Sequence, residues 1–155
     1  MGKKLAIVAV GGNSLVKDKD HQTVQDQYLA VGETCVHVAD LLEEGWEVVV
    51  THGNGPQVGF ILLRSDLAKH KLHEVPLDSC GADTQGAIGY HVQQHLCNEL
   101  ARRGHNKPVA TVVTQVLVDR NDPSFETPSK PIAPFYTAAE AAAYRRHQGR
   151  AVVEH

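Results

Sequence analysis

The sequence predicts an α/β fold in which a mainly parallel sheet lies between helix layers, a three-layer αβα sandwich. Three short apolar runs, at residues 5–10, 46–51 and 108–118, are typical of buried strands, and the first is expected to be buried on both faces. Segments with helical periodicity separate these runs, and such alternation is typical of βαβ units with parallel strands. A chain of 155 residues is long enough for one domain with a hydrophobic core.

Helical spacing of apolar residues predicts the helices between these strands. The first spans about residues 23–44, the second about 56–70 and the third roughly 82–103. Gly45 and Gly104 follow the first and third helices as C-caps. Pro56 fits the first turn of the second helix, because its missing N–H costs nothing there.

The last part of the sequence is less regular. Residues 119–136 include four prolines and several polar residues, which does not fit a regular core element. A capping box at residues 137–140 predicts a short helix that ends near Gly149. Residues 152–153 look like the start of another strand, so we expect part of the fold to lie outside this sequence.

Composition and charge exclude several classes of protein. The formal net charge is −3 and the basic residues are scattered, so no nucleic-acid footprint is expected. No segment reaches the roughly 18 apolar residues of a membrane span, and no cleavage site follows the apolar run near the N-terminus. Three cysteines without a C-x-x-C pair argue against a disulfide framework and favour a reducing compartment, the cytoplasm.

Two glycine-rich loops follow the first two predicted strands. Gly11, Gly12 and Asn13 follow the first, and Gly53, Asn54 and Gly55 follow the second. Ligands of open parallel sheets bind beyond the carboxyl ends of the strands. Glycine permits positive φ and close approach of N–H groups, and a helix start behind the loop favours an anion. The loops therefore predict either a cradle for a small anion or phosphoryl group, or tight strand-to-helix turns.

Other polar residues allow two interpretations each. Lys130, between prolines, is either a cation held over a site or a solvated surface lysine. Asp119 and Asp122 are either metal ligands or turn residues, and the turn is favoured. His52 would orient the second loop by a hydrogen bond or cap it. No Glu completes an H-E-x-x-H motif and no cysteine lies at ligand spacing, so no metal ligand is predicted.

The residues themselves resemble a known family. The matching strings, in order, are V-G-G-N-S at 10–14, T-H-G-N-G-P-Q-V-G at 51–59, A-D-T-Q-G-A-I-G-Y at 82–90, V-T-Q-V at 113–116 and K-P-I-A-P-F-Y at 130–136. Together they resemble carbamate kinase, of the amino acid kinase family, from about residue 5 to 144. The H-G-N-G-P-Q-V-G string is the most specific of them.

The resemblance implies an activity and roles for residues. The implied reaction is phosphoryl transfer between ATP and carbamate, giving ADP and carbamoyl phosphate, commonly in arginine or purine catabolism. By position, Gly11, Gly12 and Asn13 would contact the phosphoryl group, and the other cradle residues are Gly53, Asn54 and Gly55. Lys130 would reach that group from a protruding subdomain at about residues 119–146. In the full-length family ATP or ADP with Mg²⁺ binds the C-terminal half, for which no binding residues are identified here.

The resemblance covers only the acceptor-side, N-terminal half of such a kinase. Residues 1–155 would be that half, with the nucleotide half absent, and a dimer is expected by resemblance alone. Three interpretations stay open: a carbamate kinase or its acceptor half, a non-catalytic paralogue that binds a small anion or a partner, and an inert fragment. Sheet edges and apolar surface left uncovered would promote self-association.

Overall fold

A computed structural model describes residues 4–128 and also residues 130, 132, 137, 141 and 142. In chain order its elements are β1 (Lys4–Val10), a 3-10 helix (Gly12–Leu15), α1 (Val24–Glu43), β2 (Trp46–His52), α2 (Gly55–Ala68), α3 (Leu77–Arg102) and a second 3-10 helix (Pro123–Phe125). The α/β class with a parallel sheet is confirmed. None of the described helices is long and apolar enough to cross a bilayer.

The two strands pair in parallel along their whole length. The register runs from Lys4 beside Trp46 to Val10 beside His52. A βαβ crossover through α1 joins the two parallel strands, so β1 and β2 end on the same side of the sheet.

Side chains on the two faces of this sheet have different surroundings. On the inner face Val8, Val10, Val48 and Val50 pack against the helical core. On the outer face Leu5 and Ile7 are 61% and 72% exposed, and Val49 is 47% exposed. The prediction that the first strand is buried on both faces is therefore wrong, because among the described residues helices cover one face only.

The hydrophobic core lies between the sheet and the packed pair α1 and α3. Its buried members are Leu15, Val31, Cys35, Val38, Ala39, Ile88, Leu96 and Leu100. Burial raises the pKa of the Cys35 thiol to about 11, so this side chain packs as a neutral apolar group. Cys80 is also buried, whereas Cys97 is exposed.

The helix ends confirm the predicted caps and correct one boundary. Gly45 and Gly104 have φ of +85° and +81°, the left-handed backbone expected of a glycine beyond a helix C-terminus. Helix α3 begins at Leu77, several residues before the predicted start near residue 82. Pro76 occupies its N-cap with extended backbone, and proline is compatible with a helix start but not with a helix interior.

Hydrogen bonds at two further positions bear on the predicted helix starts. Thr23 and Asp26 form a capping box at the start of α1, which the sequence analysis missed because aspartate replaces the usual Glu or Gln. At the predicted box near the C-terminus, the Ala141 N–H donates to the Thr137 carbonyl at 2.8 Å. The rest of that helix and the predicted strand start at residues 152–153 lie outside the described residues.

The predicted third strand, residues 108–118, is not a strand in the structure. Side chains of α3 bind its backbone instead: Gln93 Nε2 donates to the Val109 carbonyl at 2.9 Å. Gln85 Oε1 accepts from the Thr114 N–H at 2.7 Å, and Gln85 Nε2 donates to the Thr114 carbonyl at 3.3 Å. This strand prediction is wrong because β-branched residues indicate an extended chain, whereas a strand also needs a neighbouring strand.

Arg103, next to the C-terminus of α3, joins the ends of α1 and α3. Its guanidinium is within 2.7 Å of carboxylate oxygens of Asp40, Glu43 and Glu99. Arginine suits this position because its planar fork donates several hydrogen bonds in fixed directions. Hydrogen bonds from Arg102 and then Arg103 lower the pKa of Glu99 from its ordinary value of 4.5.

Replacing Arg103 by methionine should lower the melting temperature more than replacing Arg102, which contacts only Glu99 of these carboxylates. A lowered carboxylate pKa contributes stability above the unfolded value of 4.5, and that stability is lost as the pH falls below it. Thermal unfolding of wild type, Arg103→Met and Arg102→Met between pH 7 and 3 would measure this. Equal melting temperatures of the two variants at pH 7 would contradict the assigned role.

The exposed outer face of the sheet should promote self-association, because contiguous apolar side chains and open strand edges form contacts between molecules. Ile7→Ser should shift sedimentation velocity profiles toward the monomer. Leu67→Ser is the matched control, since Leu67 is similarly exposed, at 69%, but lies on α2. A wild-type chain that sediments as a monomer at every concentration would contradict the prediction.

Candidate functional site

The two glycine loops lie side by side at one edge of the sheet. The first, residues 11–14, follows β1, and the second, residues 53–57, follows β2 and leads into α2. Because Val10 pairs with His52, both loops begin at the same level. The Gly53 N–H donates to the Val10 carbonyl at 2.8 Å, which extends the strand ladder by one residue into the loops.

Glycine is needed here for space. A Cβ on Gly53 would lie 2.8 Å from the Gly12 nitrogen, and one on Gly12 would lie 3.0 Å from the nitrogens of Asn54 and Gly55. Among the described residues, positive φ at glycine occurs just beyond the C-termini of α1 and α3, at Gly45 and Gly104, and not in these loops. The structure therefore corrects the sequence argument: close approach of the two backbones, rather than positive φ, requires glycine.

The N-terminus of α2 begins inside the second loop. Asn54 occupies the N-cap, but its side chain makes no capping hydrogen bond to the helix. Asn54 Nδ2 instead donates to Thr84 Oγ1 on α3 at 2.8 Å. The first-turn N–H groups of Gly55 and Gln57 therefore have no side-chain cap from Asn54, and such groups together with the helix dipole favour an anion.

His52 contacts the second loop directly. Its Nδ1 lies 3.1 Å from the Gly53 carbonyl oxygen. Because a carbonyl oxygen only accepts, this ring nitrogen carries the proton and donates. Of the two roles predicted for His52, the structure contains the hydrogen bond that orients the loop.

A buried pair of side-chain amides joins the second loop to α1, and sequence analysis missed it. Gln57 Nε2 donates to Gln27 Oε1 at 3.2 Å, and Gln27 Nε2 donates to the Gln22 carbonyl at 3.0 Å. Both glutamines are less than a tenth exposed. No sequence spacing indicates this pair, because its two residues lie on different helices.

The predicted site residues are only partly brought together. The backbones of Gly11 and Gly12 lie beside the second glycine loop, while the side chain of Asn13 lies outside what the structure describes. Lys130 is exposed, and within the described part of the chain it forms no hydrogen bond or ion pair with either loop. Its predicted role at the phosphoryl group stays a prediction.

The aspartates after residue 118 belong to turns. Asp119 Oδ1 accepts from the Asn121 N–H at 2.9 Å, and Asp122 Oδ1 accepts from the Ser124 N–H at 2.8 Å. The Ser124 backbone hydrogen bond lowers the pKa of Asp122 from its ordinary value. These contacts agree with the favoured turn interpretation. The described residues contain no group of three His, Cys, Asp or Glu side chains suited to a metal ion.

Comparison with known proteins relates the chain to one family. It is 45% identical over 154 residues to the carbamate kinase of Thermococcus kodakarensis, covering 97% of the chain and 49% of that relative. The carbamate kinase of Clostridium perfringens is 44% identical over 155 residues, covering 96% and 48%. A carbamate kinase-like protein of Escherichia coli is 49% identical over 140 residues, covering 89% and 44%. No protein-family model matches the chain.

Solved structures agree in fold. A protein from Aeropyrum pernix K1 superposes with a TM-score of 0.87 at 40% identity, over 94% of the chain and 47% of that protein. The Giardia lamblia carbamate kinase bound to AMP-PNP superposes with a TM-score of 0.85 at 34% identity, over 99% and 48%. The α/β architecture with its parallel sheet is thus that of the amino acid kinase fold.

The chain belongs to the carbamate kinase family. It spans about half the length of the curated relatives it matches.

Gly53→Ala should destabilise the chain by roughly 1–3 kcal/mol, because the added Cβ overlaps backbone of the first loop, which has little room to move. Gly86→Ala is the matched control, since nothing lies within 4 Å of a Cβ at that position in α3. It should stabilise by about 0.5–1 kcal/mol through helix propensity. Urea unfolding of both variants would measure these changes in the free energy of unfolding. Equal stability of Gly53→Ala and wild type would show that the loops are not in close contact.

Proposed function

We propose that the two glycine loops bind the phosphoryl group of carbamoyl phosphate and that the chain supplies the acceptor side of a carbamate kinase. The reaction would be reversible transfer of the terminal phosphoryl group of ATP to a carbamate oxygen, giving ADP and carbamoyl phosphate. The observation that carries this proposal is the backbone contact between the loops beside an α2 N-terminus that Asn54 leaves uncapped.

The physical chemistry of phosphoryl transfer supports these residues. The transition state spreads charge over the phosphoryl oxygens, so positioning and charge stabilisation dominate over covalent help from the protein. Loop N–H groups of Gly12 and Gly55 would donate to those oxygens, with Gly11, Asn13, Gly53 and Asn54 completing the cradle. Lys130 would supply positive charge to the same group.

The proposed reaction also requires a nucleotide and a metal ion, but we do not assign their binding to the loop residues. The Giardia relative was solved with AMP-PNP, which supports ATP as the nucleotide of the family. The described residues show no acidic cluster suited to Mg²⁺, so no step is assigned to the metal. The residues that would bind Mg²⁺ and nucleotide are expected in the half of the relatives that this chain does not match.

A second candidate function is binding without catalysis. The chain matches about half of each curated relative, and the proposed site needs only the matched half to hold a small anion. A chain of this kind would bind carbamoyl phosphate or phosphate, alone or with a partner.

The cellular setting is proposed on separate grounds. The sequence has three cysteines, an odd number without a C-x-x-C pair, which favours a reducing compartment such as the cytoplasm. A homodimer and a role in arginine catabolism are proposed from the family relationship alone.

The test of activity is ATP formation from carbamoyl phosphate, ADP and Mg²⁺ by the purified, folded chain. Lys130→Ala should lower kcat about 100-fold or more, the size expected when one preorganised donor to developing charge is lost. Lys71→Ala, at another exposed lysine, is the matched control and should leave kcat unchanged.

If the folded chain forms no ATP, phosphate and carbamoyl phosphate should still shift the amide resonances of the second loop, those of Gly53, Asn54, Gly55 and Gln57. That result would favour the binding function over catalysis. A folded chain that neither forms ATP nor binds either anion at these loops would contradict both candidates.

A further inference from the structure

Thr84 makes two hydrogen bonds from a buried position on α3. It is 2% exposed, and its hydroxyl donates to the Gly81 carbonyl at 2.8 Å. Because a hydroxyl has a single hydrogen, its oxygen can only accept from Asn54, whose side chain lies 2.8 Å away. Asn54 must therefore present its NH₂ group to Thr84.

Asn54 is at a position where its side chain would normally cap a helix. Asparagine is among the preferred N-cap residues, and its side-chain oxygen usually accepts from the second or third helical N–H. In α2 the second helical residue is Pro56, which has no N–H, so the remaining target is the Gln57 N–H. The cap is nevertheless absent.

The start of α1 shows what a capped helix looks like in the same chain. Thr23 has an extended backbone, with φ −66° and ψ 161°, and its side chain accepts from the Asp26 N–H. Asn54 has φ −147° and ψ 16°, and its side chain points to α3. The bond to Thr84 therefore accompanies both a different backbone and a withdrawn side chain.

We propose that Thr84 is a positioning residue that holds the Asn54 side chain away from α2, so that the Gln57 N–H stays free for the anion. This inference rests on the proposed function of the loops. Without the Thr84 hydroxyl, the Asn54 side chain turns to cap Gln57 and competes with the anion for the same N–H. Thr84 thus prevents the Asn54 side chain from occupying the anion site next to it.

The first test needs no ligand. Thr84→Val keeps the side-chain shape and removes the hydroxyl, and Thr84→Ser restores it. In NMR spectra of the ligand-free chain, Thr84→Val should shift the Asn54 side-chain NH₂ and the Gln57 backbone amide, and it should slow hydrogen exchange at Gln57. Thr84→Ser should resemble wild type at both positions.

The second test measures phosphate binding by titration of the same proteins. Thr84→Val should weaken phosphate binding roughly 3- to 30-fold, the range expected when a cap competes for one helix N–H. Thr84→Ser should bind within about twofold of wild type. A purely structural role would instead lower the stability of Thr84→Val and leave the Gln57 amide uncapped.

Thr111→Val is the matched control, because the Thr111 hydroxyl also donates to a carbonyl of α3, that of Gly89, at 2.9 Å. It should leave both the Gln57 amide and phosphate binding unchanged. A folded Thr84→Val protein with unchanged Asn54 and Gln57 resonances overturns the inference. If wild type binds no phosphate, the proposed function fails, and the ligand-free spectra alone still decide the role of Thr84.

Discussion

The parallel pairing of β1 with β2 is the interaction on which the rest of the structure depends. In its last pair Val10 lies beside His52, so the loops that follow β1 and β2 begin side by side. The Gly53 N–H then bonds the Val10 carbonyl, and Gly12 and Gly53 approach too closely for any side chain between them. A shift of one residue in this register would separate the two glycines and turn the inner-face valines of the shifted strand outward.

Helix α3 holds the other parts in place around that pairing. It packs against α1 to form the core, and its side chains reach in two directions. Thr84 reaches the second glycine loop, whereas Gln85 and Gln93 bind the backbone of the segment after the helix. One helix thus positions a loop of the candidate site and also an extended segment that has no strand neighbour among the described residues.

The family relationship and the exposed sheet face both concern how much of the proposed activity the matched half could carry out by itself. The matched half contains the loops proposed to hold the phosphoryl group, and the other half of the relatives has no counterpart in this sequence. Leu5 and Ile7 lie on an outer face that no described helix covers. The proposed anion binding involves only these loops, whereas the proposed phosphoryl transfer also needs a nucleotide, so the two proposals can be tested separately.

The sequence by itself determined the elements that depend on local rules. Apolar runs located β1 and β2, helical spacing located α1, α2 and α3, and the left-handed backbone at Gly45 and Gly104 followed from glycine beyond a helix end. Motif strings also identified the family and the loops of the candidate site. These features depend on residues close together in the chain, so their pattern is visible in one dimension.

Only the tertiary structure decided the contacts between distant residues. Residues 108–118 have the composition of a strand, yet hydrogen bonds from α3 bind their backbone, because pairing depends on a neighbour. The bond from Asn54 to Thr84 joins residues 30 positions apart, as does that from Gln57 to Gln27. No local pattern encodes such pairs, since the packing of α1, α2 and α3 brings them within hydrogen-bonding distance.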